Sequence, residues 1–291
     1  MNYFKFCRRS LAAVALSTIA CSPPTQAATS RLLATGGVAQ IEGSAGGGLT
    51  PWALIAGLGS DREAGVSAFC TRVSPQDFRL DSCGVAAGGW DRIEVSFAKQ
   101  QFDLGSTVPG ESINVNVVGV KLRLVGDAVY DQDRWLPQIA LGLQYKDNTD
   151  FDFVPSLLGA RRGEDIDWYL AASKLWLDGV FSRFTLVNLT LRYTRANQFG
   201  ILGFGGDGGD SRALQVEAST AVFVTDSIAL GAEYRQKPDL LSVYREDDCS
   251  DFFVAWFPHK QLSVTAAWVD LGNIADKRQQ RGLYLSLQGS L

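Results

Sequence analysis

Residues 200–212, which read GILGFGGDGGDSR, contain glycines at a spacing that could bind phosphate. Gly203, Gly205 and Gly208 match the pattern G-x-G-x-x-G. A dinucleotide loop of this kind must open a helix, whose N-terminal amides bind the pyrophosphate. The next residues, 213–224, instead alternate between apolar and polar types, which predicts a strand. We therefore interpret the stretch as a loop between two strands, and we expect no nucleotide or other cofactor.

Side chains suited to acid–base or metal chemistry are scarce in this chain. The single histidine, His259, falls in a predicted tight turn, where a structural role is expected. A hydrolase with a serine nucleophile would need a base beside it, and nothing else in the sequence points to one. Cysteine and histidine are also too few for a zinc cluster. The sequence predicts neither an enzyme nor a metal site, and a lipid-acting enzyme is the least favoured alternative.

Two cysteines could form a disulfide. Cys70 and Cys83 lie at equal distances from a turn centred near residues 76–77, so a hairpin could place them opposite each other. An exported chain permits the bond, although both could instead be small apolar side chains. Cys249 follows the acidic residues 246–248 and is predicted to be a free or intermolecular thiol.

The N-terminus predicts export. Residues 1–27 carry three basic residues before a short apolar stretch and end in a small-residue cleavage site at Ala27, as in a cleaved signal peptide. Lipidation at Cys21 is the alternative, but Thr18 fits a lipobox poorly. Cleavage would change the net charge from −4 to −7, which argues against nucleic acid as a partner.

The remaining chain alternates with a period of two, and no helical period follows the signal. Twelve strands are predicted, near residues 64–73, 77–88, 91–97, 118–124, 138–146, 166–177, 183–195, 214–224, 227–235, 251–257, 262–269 and 282–291. Short turns alternate with long loops between them, which is typical of an outer-membrane barrel. Residues 61–291 therefore predict an all-β fold, an antiparallel transmembrane β-barrel of about 12 strands.

Aromatic residues favour this barrel over a soluble β-sandwich, which also alternates. Six tryptophans fall near predicted strand ends, where an aromatic girdle would lie: Trp90, Trp135, Trp168, Trp176, Trp256 and Trp268. The expected location is the outer membrane of a Gram-negative bacterium. The expected partners are outer-membrane lipid, lipopolysaccharide and, during biogenesis, the barrel-assembly machinery.

The glycine-rich residues 28–60 leave two alternatives open. If they lie inside the barrel as a lumen plug, the barrel has twelve strands, whereas a complete extra hairpin would give fourteen. Three apolar residues of the glycine-containing stretch 200–212, Ile201, Leu202 and Phe204, are expected to dock at the barrel mouth.

Charged side chains on the polar faces of the strands are the candidate lumen lining: Arg92, Glu94, Lys121, Arg123, Arg192, Glu217, Glu233 and Arg235. They could form a structural network that closes the lumen. They could equally line a narrow path for a small solute, with five bases against three acids slightly favouring anions. The working function is a narrow passive channel or uptake barrel for small hydrophilic solutes. The alternative is a non-conducting barrel that stabilises the membrane or binds a surface partner through its long loops.

Several motifs extend over nearly the whole mature chain: GSAGGGLTPWALIAG at 43–57, GVKLRLVGD at 119–127, LRYTRANQFGILGFGG at 191–206, GAEYRQKPDLL at 231–241, FFVAWFPHK at 252–260 and GLYLSLQ at 282–288. On these motifs the chain resembles the DUF3034 family of proteobacterial outer-membrane proteins. The resemblance implies a β-barrel in the outer membrane, and it carries over no catalytic residue.

Overall fold

A computed structural model describes residues 33–291. The predicted signal peptide, residues 1–27, and the alternative lipidation site Cys21 lie outside the described residues. The described chain forms one closed barrel of twelve antiparallel strands, in which the last strand pairs with the first. This confirms the predicted fold class.

The barrel strands follow a two-stranded inner sheet, β1 (Val38–Ala39) and β2 (Ala45–Gly46). They are β3 (Ala64–Pro75), β4 (Arg79–Gly89), β5 (Ile93–Asp103), β6 (Ser112–Val125), β7 (Gln138–Asn148), β8 (Glu164–Trp176), β9 (Thr185–Thr194), β10 (Ala213–Thr225), β11 (Ile228–Arg235), β12 (Cys249–His259), β13 (Leu262–Asp270) and β14 (Arg281–Ser290). Each barrel strand pairs with its neighbours in sequence, and β14 closes the ring on β3.

The two ends of the barrel differ. One end, here the short-turn end, carries the connections 90–92, 126–137, 177–184, 226–227 and 260–261. The other, the long-loop end, carries 76–78, 104–111, 149–163, 195–212, 236–248 and 271–280. In barrels of this kind the short turns face the periplasm. Residues 126–137 are a long connection at the short-turn end, and they fold back on the barrel through Gln132, whose Nε2 donates to Leu175 O at 3.0 Å.

Alternation places apolar side chains outside and polar side chains inside. On β14, Leu283, Leu285 and Leu287 are exposed outward, whereas Tyr284 between them is buried. Four of the six predicted girdle tryptophans lie at the short-turn end, and Trp168 and Trp268 lie nearer the long-loop end. Such an outer surface matches the hydrocarbon layer and its two interfaces.

The start of β6 departs from the sequence prediction. The strand begins at Ser112, not near residue 118. Its first part was not predicted because the apolar residues there take the inward positions and the polar residues the outward ones. There the apolar Ile113 and Val115 point inward and are fully buried. The outward positions carry Asn114 and Asn116, so no apolar outer row marks the strand.

Residues 35–59, here the inner segment, are buried throughout. Their side chains and backbone contact the inward faces of the strands, as when Ala53 N donates to Ser173 Oγ at 2.8 Å. β1 and β2 pair only with each other and join no barrel strand. The fourteen-strand alternative is therefore wrong, because two-residue strands inside a closed ring cannot extend it.

Helical structure is limited to short pieces within the described residues. These are α1 (Val154–Leu157) and two 3₁₀ turns, Val180–Ser182 and Asn197–Gly200. None of the described helices has the length and apolar character needed to cross a membrane. The connection 195–212, here the glycine loop, leads directly into β10, so it opens no helix that could bind a pyrophosphate.

Candidate lumen site

Six charged side chains form a buried cluster at the centre of the lumen, here the central cluster. Its members are Glu42, Lys146, Asp167, Arg192, Glu217 and Arg235, each at most 2% exposed. Arg192 Nε lies 2.5 Å from Glu217 Oε1, and Arg235 Nη1 lies 2.9 Å from Glu42 Oε2. Lys146 Nζ lies 2.7 Å from Asp167 Oδ2 and also contacts Glu42. Each buried charge therefore has at least one opposite partner.

Strand register builds this cluster. Its wall members occupy inward positions on the five consecutive strands β7 to β11. Glu217 on β10 lies directly opposite Arg235 on β11, and their side chains meet at 3.1 Å. Because side chains alternate across a strand, a register slip of one residue would turn these charges toward lipid. Glu42 is the contribution of the inner segment, and it approaches Lys146, Arg192 and Arg235 together.

A second ion pair, on the two barrel strands that precede β7, also holds the inner segment. Lys121 Nζ and Glu94 Oε1 lie 3.1 Å apart on the neighbouring strands β5 and β6. Lys121 also donates to Ala45 O at 2.8 Å and to Leu54 O at 2.9 Å. Glu94 accepts the backbone N–H groups of Ala45 and Ala56 at 3.1 and 2.8 Å. The pair thus binds four backbone groups of the inner segment.

Glu233 is the third anchor of the inner segment. Its carboxylate accepts the Leu49 N–H at 2.7 Å and the Thr50 hydroxyl at 2.7 Å. A Cβ added at Gly47 would lie 1.9 Å from Glu233 Oε1, so a larger residue there would require the Glu233 carboxylate to move. Asp251 lies opposite Glu233 on the neighbouring strand, and within the described chain its Oδ1 has no hydrogen-bond partner.

The glycine loop folds into the mouth at the long-loop end. Ile201, Leu202 and Phe204 are all buried there. Lys146 Nζ donates to Phe199 O at 3.0 Å, and Asn148 Nδ2 donates to Ile201 O at 2.7 Å. The loop is therefore attached to the polar lumen wall below it.

Acidic residues fasten the mouth loops to one another. Arg162 donates to Asp210 through Nη2 at 2.9 Å, and this hydrogen bond, together with the charges of Arg162, Arg195 and Arg161, lowers the pKa of Asp210. The Ser242 N–H donates to Asp207 Oδ1 at 2.9 Å. Hydrogen bonds from Ser242 likewise lower the pKa of the Asp207 carboxyl. The loops 149–163, 195–212 and 236–248 are therefore linked by carboxylates that are charged at neutral pH.

A buried ion pair lies beneath these links. Lys237 Nζ is 3.0 Å from Glu246 Oε2 and donates to Leu271 O at 2.8 Å and to Gln198 Oε1 at 3.1 Å. Burial raises the pKa of Glu246, although the charge of Lys237 opposes that rise. The pair joins the loops 236–248 and 271–280 to the glycine loop.

The candidate lumen-lining residues separate into two groups. Six lie inside the barrel and are buried: Glu94, Lys121, Arg192, Glu217, Glu233 and Arg235. Arg92 is exposed in the turn 90–92 before β5, near Arg123 at the short-turn end, and not beside the inner segment's anchors. Arg123 is half-buried near the short-turn end, where it contacts Asp91 and lies 3.1 Å from Asp127.

The cysteines occupy different environments. Cys70 and Cys83 are cross-strand partners on β3 and β4 and are joined in a disulfide. Both side chains lie on the outward face of the barrel. Cys249 is a free, buried thiol, whose Sγ donates to Arg235 O at 3.4 Å.

Three members of the central cluster were missed by sequence reasoning. Lys146 and Asp167 take inward positions, and their strand parity could have identified them. Glu42 is the only charged residue between residues 36 and 60. A lone carboxylate in an apolar and glycine-rich stretch indicates a buried partner, because an unpaired buried charge is costly. Among the described residues, no group of His, Cys, Asp and Glu could hold a metal ion.

Solved structures share this barrel fold. A structure titled "KdgM porin in complex with disordered oligogalacturonate" is 11% identical, with a TM-score of 0.50 over 77% of this chain and 99% of that chain. A second structure, "KdgM porin", is 9% identical, with a TM-score of 0.48 over 78% and 99% of the two chains. A NanC porin is 10% identical, with a TM-score of 0.47 over 77% and 97%. The chain thus has the fold of outer-membrane porin barrels.

Sequence comparison gives the family. No curated protein sequence matches the chain significantly. The model of the family described as "Protein of unknown function (DUF3034)" matches residues 35–288, which include the inner segment and the barrel from β3 to residue 288 of β14. The chain therefore belongs to the DUF3034 family.

Proposed function

We propose that the protein is a channel of the outer membrane for small hydrophilic solutes, closed in the described arrangement by the inner segment. Opening would require residues 35–59 to leave the lumen or to move aside within it. The mouth loops, tied together by Asp207 and Asp210, would form a second barrier at the long-loop end.

The size of the barrel supports this proposal. Side chains alone fill a barrel of about eight strands, whereas barrels of about sixteen strands enclose an aqueous channel. Twelve strands fall between these sizes, and here a chain segment occupies the remaining space. Displacing that segment would leave room for water and a small solute.

The contacts of the inner segment carry the argument. Charged side chains hold it at three places, through Glu42, through the Glu94–Lys121 pair and through Glu233. A permanent filling would be at least as stable with apolar contacts, since buried ion pairs repay little of their desolvation cost. A hydrophilic wall remains compatible with water once the segment has moved, which is what a channel needs.

Lipid contact follows from the outer surface of the same barrel. The apolar outward faces of the strands would lie against the hydrocarbon of the outer membrane. Lipopolysaccharide would meet the long-loop end, and the barrel-assembly machinery would be needed to insert the strands. A signal peptide at residues 1–27 would direct the export that precedes insertion.

Planar-bilayer recording tests the channel. We would compare the mature protein, a variant lacking residues 35–59, and the variant Ala53→Cys/Ser173→Cys, which places two cysteines where Ala53 N and Ser173 Oγ are 2.8 Å apart. We expect stable conductance from the deletion variant and brief openings from the mature protein. Oxidation of the cysteine pair should abolish the openings, and reduction should restore them.

The single variants Ala53→Cys and Ser173→Cys are the matched controls, and they should conduct alike with and without oxidant. A folded deletion variant that never conducts would support the non-conducting alternative. Equal conductance of the tethered and untethered forms would show that the inner segment does not close the path.

A further inference from the structure

The lumen is lined mainly by apolar side chains at its short-turn end. Between the inner segment and the inward faces of β9 to β12 lies a cavity of about 140 Å³. Its lining includes Trp52 and Leu54 of the inner segment and Phe223, Phe253 and Phe257 of the wall. This region contrasts with the ion pairs of the central cluster.

The cavity presents carbon atoms almost throughout. Trp52 Nε1, the polar atom of the largest lining side chain, donates to Ser219 Oγ at 3.0 Å and is therefore already bonded. The other polar side chains among the lining residues are Thr35 and Asp226. Asp226 lies in the exposed turn between β10 and β11, at the rim. A molecule inside would find neither a charge nor a row of hydrogen-bonding groups.

Small residues keep this space open. Ala221, Ala229 and Ala255 line the cavity from three neighbouring strands, and all three are buried. Any larger apolar side chain at these positions would occupy part of the space. An apolar cavity of about 150 Å³ in another protein stays free of water and binds benzene or xenon.

Ring geometry favours an aromatic occupant. Phe223 stacks near Phe257 with ring centroids 6.0 Å apart, and Phe184 meets Phe223 edge-on at 6.2 Å. These phenylalanines present both ring faces and ring edges to a further ring. Aromatic pairs prefer offset-stacked or edge-to-face contacts over a direct face-to-face sandwich, and both are available here.

We propose that this cavity is a binding site for a small neutral aromatic molecule of about the size of benzene, which enters from the short-turn end. The site does not depend on the channel, because a barrel that never conducts would contain the same cavity. A bound molecule would contact both the inner segment and the wall.

Two measurements test the site on the full mature protein. Crystals soaked with iodobenzene should show anomalous iodine signal between Trp52, Phe223 and Phe257. Fluorobenzene titrated into protein in lipid nanodiscs should give a saturable bound ¹⁹F resonance. The filling variant Ala255→Leu should lose both signals. The matched control Ala266→Leu, which adds the same atoms on the outward face of the neighbouring strand β13, should keep both.

The proposal fails if iodine is absent from the cavity of the native protein. It also fails if fluorobenzene gives no saturable resonance beyond that of empty nanodiscs, or if Ala255→Leu binds like the native protein. Should Ala255→Leu not fold, as judged by heat-modifiable electrophoretic mobility, Ala229→Leu fills the cavity from the neighbouring strand and must give the same loss.

Discussion

Glu42 is the residue through which the inner segment balances the buried cations of the wall. Removing one partner of a buried ion pair typically costs about 3 to 5 kcal/mol. Lys146 and Arg235 keep second partners in Asp167 and Glu217, so we expect the lower end of this range for Glu42→Gln. Denaturant unfolding in detergent, followed by tryptophan fluorescence, measures this change in the free energy of unfolding.

Glu111→Gln is the matched control for this prediction. Glu111 lies exposed in the loop 104–111, so the same chemical change there should leave the free energy of unfolding unaltered. Equal stability of the Glu42→Gln and Glu111→Gln proteins would contradict the role assigned to the central cluster.

Asp210 makes the attachment of the glycine loop dependent on pH. Because Arg162 and Arg195 lower its pKa below the usual value of 3.8, the attached loop binds the proton less readily than a detached loop does. Its stabilising contribution is therefore present above the usual pKa and is lost as the pH falls below it. We expect a nitroxide at Ser211→Cys to become mobile in this acidic range, as judged by electron paramagnetic resonance.

Asp210→Asn should give the mobile spectrum already at neutral pH. Asp276→Asn, in the separate loop 271–280, changes an exposed carboxylate and should leave the spectrum immobile. A spectrum that stays the same from neutral to acidic pH would show that Asp210 does not hold the loop.

Sequence reasoning identified individual charges better than it identified their partners. Strand parity placed Arg192, Glu217 and Arg235 on polar faces, because a period of two is a local property of the chain. That Glu42 would meet them depends on a segment about 150 residues or more away in sequence. No local pattern encodes such a contact, although the lone acid could have signalled it.

At the scale of elements, a disulfide cross-links the two strands of the β3–β4 hairpin. Cys70 and Cys83 face each other on neighbouring strands beside the seam where β14 meets β3. We predict that mass mapping of the non-reduced protein finds these two peptides linked, with Cys249 unmodified.

Cys249 should react with maleimide only after unfolding, because its thiol is buried against Arg235 O. A Cys249 that reacts in the folded protein would contradict the buried position.

Strand positions followed from the sequence wherever an outer apolar row marked them. β13 and β14 were predicted almost to the residue because their outward positions are mostly apolar. The first part of β6 was missed because its outward residues are polar near the long-loop end. Loop structure was less accessible, since the mouth loops are held by contacts between separate connections and not by their own turns.

For the whole molecule, closure into a barrel was predictable and the filling of its lumen was not. Closure follows from the number and alternation of strands, which the sequence displays directly. The position of residues 35–59 was left open between a plug and a hairpin, because a glycine-rich stretch has no period that assigns it to a face. The polar wall favours the position inside the barrel, because its side chains supply hydrogen-bond partners to backbone groups of this segment that would otherwise stay unpaired.

The charge balance of the wall predicts the ion selectivity of the emptied lumen. The wall residues of the three anchoring sites are the bases Lys121, Lys146, Arg192 and Arg235 and the acids Glu94, Asp167, Glu217, Glu233 and Asp251. The sequence suggested an excess of bases. In the structure, Arg92 and Arg123 lie at the short-turn end and only Lys146 adds a base, whereas Asp167 and Asp251 add two acids. Since opposite charges at close range cancel, the emptied lumen should discriminate weakly between ions. The variant lacking residues 35–59 should therefore show a reversal potential near zero in a potassium chloride gradient.

Two substitutions within the wall should shift the ion selectivity in opposite directions. Arg235→Gln in the deletion variant removes a base and should shift the reversal potential toward cation selectivity. Glu217→Gln, opposite Arg235 across the strands, should shift it toward anion selectivity, because the bases would then be partly unopposed. Strong anion selectivity of the deletion variant, or shifts of the same sign from both substitutions, would mean that these side chains do not line the conducting path.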